Sequence, residues 1–247
     1  MSGTSVIVTG AAGGIGAAAA ARLAADGARV TAVDIDAAKL GDVVAALPGS
    51  HHRACAADLT DLSCHDEIVR AAVLDSGRLA GLAHLAAVLH RAESIYDVSE
   101  EEWDAQLNVN LKATFFLNRA VARLLVAQKA GGAIVNFTSQ AWWTGGFGGN
   151  IVYAASKGGV VSMSRNLART LAPDGIRVNT IAPGFVETEM MLGGLGQDEV
   201  ESFRKMVPLG RMATPAEIAG AVSFLLGTDS AYITGATLNV TGGQLMY

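Results

Sequence analysis

Val6-Ile7-Val8-Thr9-Gly10-Ala11-Ala12-Gly13-Gly14-Ile15-Gly16 is the stretch whose reading decides the fold. A short β-branched run ends at a threonine and turns through four glycines into an Ala/Leu pattern running from Ile15 to Ala25. A short apolar run bounded by glycine reads as a buried strand, and an apolar period of 3.6 reads as a helix. Glycines at such a turn permit a tight reversal and let a pyrophosphate approach the backbone, facing the unpaired amides of a helix N-terminus. A glycine-rich turn without a ligand is the plain alternative, so the surrounding sequence has to decide.

Outward from this stretch the same alternation repeats. Val30 to Val33 is followed by a helical pattern over 37–47, Ala54 to Ala57 by one over 63–74, and then comes Leu82 to Leu85. Ser99-Glu100-Glu101-Glu102 has the form of a capping box and predicts a helix from there to about Gln128, ended by Gly131-Gly132. Ala133 to Thr138 reads as a strand, Tyr153 to Leu171 as a long helix and Arg177 to Ile181 as a strand; a helix from Pro215 to Leu226 and a strand from Thr237 to Val240 close the series. Strand and helix in strict alternation predict an α/β chain, a parallel sheet with helices on both faces. Neither a linker nor a repeat interrupts it, so residues 1–247 are read as one domain.

Composition narrows the function. The formal net charge is −5, half of the residues are apolar, and there is no Lys/Arg run; disorder, nucleic-acid binding and a basic membrane-surface helix are all disfavoured. No apolar stretch approaches the roughly 18 residues that span a bilayer, and the N-terminus lacks the pattern of a secretory signal, so a cytoplasmic location is expected. Cys55 and Cys64 have no zinc-site spacing and read as reduced structural thiols, and no metal site is expected. Glycine, at 29 of 247 residues, exceeds the roughly 7% of ordinary proteins, which requires particular backbone positions to be served.

Two further features carry chemistry. Asp34 stands at the end of the second strand, about 20 residues past the glycines, where a carboxylate accepts hydrogen bonds from an adenosine ribose and repels a 2′-phosphate. With no basic neighbour at Gly13 or Ile35, NAD is expected rather than NADP; a helix cap is the structural alternative for Asp34. Asp58 is a second candidate at the adenine edge, and equally a cap for the helix beginning near Leu62. Tyr153 and Lys157, four apart at a helix start, share one face. A phenol titrates at about 10, and a neighbouring ammonium together with a nicotinamide cation is expected to lower it into useful acid/base range.

These pieces, with Asn108-Val109-Asn110-Leu111, Ser139 after Asn136-Phe137-Thr138, Asn179, and Pro183-Gly184 followed by Thr188, resemble the short-chain dehydrogenase/reductase family in its single-domain form across essentially the whole chain. The resemblance implies a doubly wound Rossmann fold with about seven parallel strands. It implies Tyr153 as general acid/base and Ser139 as the hydrogen-bond donor to the reacting oxygen. Lys157 would hold the nicotinamide ribose and lower the tyrosine pKa, and Asn110 would bend its helix and hold a relay water. Cofactor contacts are implied at Gly10, Gly13, Gly14, Ile15 and Gly16, at Asp34, Asp58, Leu59 and Ala86, and at Pro183, Gly184, Val186 and Thr188. One departure stands out: His84-Leu85-Ala86-Ala87 replaces the usual Asn-Asn-Ala-Gly, and His84 reads as a buried, hydrogen-bonded substitute for asparagine.

Ligands of open α/β sheets bind beyond the carboxyl ends of the strands. The loops there offer His90, Gln140, Trp142, Trp143, Phe147, Met190 and Met191 as substrate candidates, and 186–210 with its glycines is expected to act as a lid. Without an arginine cluster the expected substrate is a neutral small-molecule alcohol or ketone. The leading reading is thus an NAD-dependent oxidoreductase interconverting a secondary alcohol, a polyol or sugar among the candidates, and its ketone. A 3-oxoacyl thioester reductase is the second reading, and a non-catalytic nucleotide-binding regulator the third. The family's common form implies a homotetramer.

Overall fold

The structure, a computed structural model, describes residues 3–75, 77–146, 149–193 and 196–246. Seven strands form one sheet in the order β3-β2-β1-β4-β5-β6-β7: β1 Ser5–Thr9, β2 Arg29–Asp34, β3 Arg53–Ala56, β4 Leu79–His84, β5 Gly132–Phe137, β6 Ile176–Pro183 and β7 Thr237–Val240. Every neighbouring pair is parallel. The order reverses between β1 and β4, so the crevice beyond their carboxyl ends is the place where this architecture receives ligands.

The continuous apolar runs arise because the sheet is covered twice. Side chains alternate across it. Val6 and Val8 of β1 join Val135 in a core with Leu23 of helix α1 (Gly14–Ala25) and Ile218 and Val222 of α10 (Pro215–Leu226). Ile7, Leu82 and Ile134 face the other way, onto Ile68 of α3 (His65–Val73), Leu117 and Leu125 of α5 (Thr114–Gln128) and Leu171 of α7 (Ile151–Leu171). Helix α2 spans Ala37–Ala45 and α4 spans Glu100–Leu107.

Most predicted elements are found with ends shifted by one to three residues. The long helix expected from Ser99 to Gln128 is broken, however: α4 and α5 are joined by a π-helical segment, Asn108–Ala113. Its start is as expected, since Ser99 accepts from the Glu102 amide at 3.1 Å and Glu102 returns to the Ser99 amide at 3.4 Å. The loop after Ser139 holds a short helix α6 (Ala141–Thr144), and the predicted lid holds α8 (Glu189–Leu192) and α9 (Gln197–Lys205).

Glycine at 16 is a matter of space. A β-carbon there would lie 1.9 Å from the Gly10 carbonyl oxygen, so only glycine lets helix and strand close around the turn. Gly16→Ala is therefore expected to cost about 1–3 kcal/mol, whereas Gly41→Ala, facing open space within α2, should gain about 0.5–1 kcal/mol. Thermal melts of the two variants check this, and equal shifts of the same sign contradict it.

Candidate functional site

Two clefts open at the carboxyl ends of the strands. The first, of about 160 Å³, is lined by Gly10, Asp34, Asp58, Leu59, Ala86 and the neighbours Ile35, Ala87, Val88 and Val109. Five residues expected to contact the cofactor thus share one cavity; Ile35 and Val109 were not foreseen as lining it, since apolar residues beside an acid give no distinctive signal. Asp34 is not a helix cap. It accepts from the Ala12 amide at 2.9 Å and the Asp36 amide at 3.1 Å, and the cap of α2 is Asp36, which accepts from Lys39. Asp58 likewise leaves the next cap to Asp61 and accepts from the Thr60 amide and hydroxyl.

The glycine turn is built for close approach. Gly10 sits at φ +65°, and a β-carbon on it would be 2.9 Å from the Ala86 nitrogen. No side chain caps α1 at Gly13, so its first-turn amides remain for an anion. A carboxylate at a ribose position, a backbone cradle and a cavity between them fit a dinucleotide.

Thr9 ties the strap after β4 to this turn. Its oxygen accepts from the Leu85 and Ala86 amides, both at 3.1 Å, and lies 3.1 Å from Nδ1 of His84. Two amides occupy the lone pairs of the hydroxyl, so its proton goes to His84 Nδ1, and the neutral ring carries its own proton on Nε2. His84 is buried, and desolvation, then the Lys157 charge, then His65 hold its pKa down to about 3. The expectation of a hydrogen-bonded asparagine substitute is met at one nitrogen only; Nε2 is buried without a partner among the described residues.

Further along the strap, Asn110 in the π segment holds Val88 by two hydrogen bonds, Val88 N to Oδ1 at 2.8 Å and Nδ2 to Val88 O at 2.9 Å, and also donates to the Ser156 hydroxyl at 3.1 Å. Both hydrogens of Nδ2 and one lone pair of Oδ1 are used, and its backbone carbonyl accepts from the Thr114 hydroxyl at 2.8 Å; a relay water would have to take the second lone pair of Oδ1 or of that carbonyl. His90 is pinned through its amide to Gln106 at 3.1 Å and Ala92 through its amide to Gly149 at 2.9 Å.

At the end of β5 the Ser139 hydroxyl hydrogen-bonds the Tyr153 phenol. Lys157, buried on the next turn of α7, donates to the Phe137 carbonyl at 3.0 Å and lies 5.5 Å from the Tyr153 ring centroid. The three predicted residues are thus brought together. The expected lowering of the phenol is not found in the protein alone: burial pushes Tyr153 up to about 12, opposed by the Ser139 hydrogen bond and the Arg91 charge. Lys157 is itself pushed down to about 8 by burial. Arg91 was missed because a single exposed arginine after His90 carries no pattern.

The remaining candidates diverge. Val186 bridges Ala213, and the Thr188 hydroxyl accepts from the Met191 amide at 3.3 Å to cap α8, with its methyl 2.9 Å from where a β-carbon on Gly14 would stand. The Pro183 carbonyl accepts from the buried Gln140 amide at 3.0 Å. Trp143 is exposed and meets Trp142 edge-on at 5.3 Å, Met190 is exposed, and Met191 packs with Phe185 and Val207 at the lid base. Phe147, Gly148 and Gly194 lie outside the described residues. The second cleft, of about 220 Å³, is lined by Glu93, Ser94, Ile95, Asn150 and Ile151 with neighbouring glycines, just ahead of Tyr153 on α7. None of these residues was singled out in the sequence.

A dinucleotide cradle beside a Ser-Tyr-Lys group defines the class, an oxidoreductase working with a nicotinamide cofactor on a CH–OH group. The chain belongs to the short-chain dehydrogenase/reductase family. Residues 10–244 match the family described as enoyl-(acyl carrier protein) reductase. The (3R)-3-hydroxyacyl-CoA dehydrogenase of Rattus norvegicus is 37% identical, the match covering 97% of this chain and 95% of that protein. The D-threitol dehydrogenase of Mycolicibacterium smegmatis is 38% identical over 98% of this chain and 93% of that one. The crystal structure of gox2181 superposes with a TM-score of 0.94 at 32% identity, covering 99% of this chain and 96% of that one. No helix among the described residues is long and apolar enough to cross a membrane.

The buried lysine gives a signed prediction. Lys157 has a pKa of about 8 in the folded chain against 10.5, so between these values the unfolded chain binds more protons and stability rises with pH. Urea melts should show wild type gaining on Lys157→Met from pH 8 to 10.5; a constant difference across that window contradicts the burial of the ammonium.

Proposed function

We propose that this oxidoreductase is NAD-dependent and interconverts a secondary alcohol and its ketone, a polyol, sugar or other hydroxy compound being the substrate class. The observation that carries the reading is the Ser139 hydroxyl on the Tyr153 phenol with Lys157 beside the ring, at the mouth of a dinucleotide cradle.

When bound, the nicotinamide supplies a hydride acceptor and a positive charge that favours the phenolate. Tyr153 takes the hydroxyl proton in oxidation and returns it in reduction, while Ser139 donates to the same oxygen and stabilises its partial charge. Lys157 holds the nicotinamide ribose and passes the proton on. Asn110 keeps the strap, the π segment and α7 in register and offers its carbonyl to a relay water. Pro183, Gly184, Val186 and Thr188 hold the carboxamide end, with Gly13, Gly14, Ile15 and Gly16 at the pyrophosphate and Asp34 on the adenosine ribose. The carboxylate of Asp34, already oriented by two amides, supports NAD over NADP.

Residues 186–210 act as a substrate lid in a chain that works as one domain. The chain assembles as a homotetramer, a reading supported by exposed Trp103, Phe115 and Ile151 on α4, α5 and α7. It works in the cytoplasm.

The second reading, a 3-oxoacyl or 3-hydroxyacyl thioester as substrate, is favoured by Arg91 beside the phenol and by the hydroxyacyl-CoA dehydrogenase relative. A non-catalytic nucleotide binder has no use for an acid/base tyrosine beside a buried lysine.

Tyr153→Phe should lower turnover by about 10²–10⁴-fold while NADH binding, followed by fluorescence, persists; activity within a few-fold of wild type contradicts the mechanism. Reduction of NAD should exceed that of NADP by about tenfold or more in kcat/KM, a charge repulsion of at least ~1.4 kcal/mol, and a preference for NADP overturns the role of Asp34.

A further inference from the structure

The larger of the two clefts takes no part in the chemistry derived so far. It lies between two loops that the chain holds together. Ala92 N donates to the Gly149 carbonyl at 2.9 Å, and a β-carbon on Gly149 would stand 1.7 Å from the Ala92 carbonyl oxygen. Only glycine lets the two backbones meet there, and the gap of about 220 Å³ opens beside that contact.

The polar side chains that line the cleft are unengaged. Asn150 is the cap residue of α7, and asparagine is among the residues best suited to that place, yet its side chain makes no cap hydrogen bond. It folds back on Gly146 instead, where a β-carbon would lie 2.1 Å from Oδ1. Glu93, on the loop after β4, is exposed and makes no ion pair among the described residues. Ser94 beside it accepts from Tyr96 N at 3.3 Å and keeps a second lone pair. Ile95, Val98 and Ile151 form apolar walls. Asn150 precedes Tyr153 by three residues, so the cleft opens within one helical turn of the phenol.

Charge decides what fits. Glu93 is the only ionised side chain lining the cleft among the described residues; Arg91, two residues earlier, acts on the Tyr153 phenol and does not line it. A carboxylate or phosphate placed there meets like charge with no cation to offset it. A hydroxyl donates one hydrogen bond. An ammonium brings three donors and the opposite charge to the carboxylate, Asn150 Oδ1 and Ser94 Oγ, and charge-assisted bonds are about twice as strong as neutral ones. Three residues of helix rise about 4.5 Å, a span that three carbons between oxygen and nitrogen cover.

Resting on the reading of this protein as an alcohol dehydrogenase, we propose that the cleft lined by Glu93, Ser94 and Asn150 is a subsite for an ammonium group, with Glu93 as its counter-ion, so that the enzyme takes secondary alcohols carrying an amine two carbons beyond the carbinol.

Initial rates of NAD reduction at pH 8 give kcat/KM for 4-amino-2-butanol, for 2-pentanol and 1,3-butanediol, which put a methyl or a hydroxyl where the amine stands, and for 3-hydroxybutyrate. Wild type should favour the amino alcohol over both neutral analogues by about tenfold. Glu93→Gln keeps the shape, removes the charge and should bring that ratio close to one, while Glu93→Lys should turn the preference toward 3-hydroxybutyrate. Salt at about 1 M should shrink the wild-type ratio, since Glu93 is exposed. Equal or faster turnover of 1,3-butanediol by wild type makes this a hydroxyl subsite and overturns the proposal, as does a ratio that Glu93→Gln leaves unaltered. If both variants melt lower and lose activity on every substrate alike, Glu93 is structural and the subsite is overturned. Turnover of the neutral alcohols without preference for the amine contradicts the ammonium subsite alone; absence of NAD reduction with all four compounds contradicts the alcohol dehydrogenase reading and the subsite with it.

Discussion

One side chain, the amide of Asn110, holds three parts of this molecule in register. Its two bonds to Val88 fix the strap after β4, its bond to Ser156 fixes α7 one residue ahead of Lys157, and its own place on the π segment joins α4 to α5. The segment is a π turn within the helical run, a feature frequent at functional sites. The strap in turn crosses Gly10 at a distance only glycine permits and carries Ala86, Ala87 and Val88 along the cleft that holds Asp34 and Asp58. Cofactor cradle and acid/base helix are therefore parts of one hydrogen-bonded assembly.

The second constraint is burial at the proton-transfer site. The low-dielectric surroundings that keep the phenol protonated and the ammonium strained also magnify any charge brought in beside them. Burial raises Tyr153 and lowers Lys157, so each is pushed toward its neutral form, and a cation beside the phenol has the largest effect where water is scarce. This couples the state of the acid/base pair to occupancy of the cradle.

Much of this was legible in the amino-acid sequence because the signals are local. The β-branched runs and Ala/Leu helices repeat at full contrast, so the seven parallel strands and their order of appearance could be read directly, and Ser139, Tyr153 and Lys157 met as their places on β5 and α7 imply. What escaped has a physical reason in each case. The π segment sits within an unbroken helical pattern, since its extra residue per turn leaves no mark in apolar spacing. A separation of four residues announces that Tyr153 and Lys157 are close, not that the surroundings desolvate both, so the upward push of burial on the phenol in the protein alone was not foreseen. Glu93 reaches the second cleft from the loop after β4, far in the chain from Asn150, and a single polar residue in a loop has no period to betray it. The histidine at 84 was recognised as an asparagine substitute, but its hydrogen-bond pattern depends on Thr9, 75 residues away.

The account stands or falls on direct hydride transfer from a carbinol carbon. Incubation of the purified protein with NAD and 2,3-butanediol deuterated at its carbinol carbons, followed by mass spectrometry of the cofactor, tests this without any variant. The account predicts reduced cofactor carrying one deuterium and the matching hydroxyketone in equal amount; reduced cofactor without deuterium, or no reduction with this or any other secondary alcohol, would contradict it.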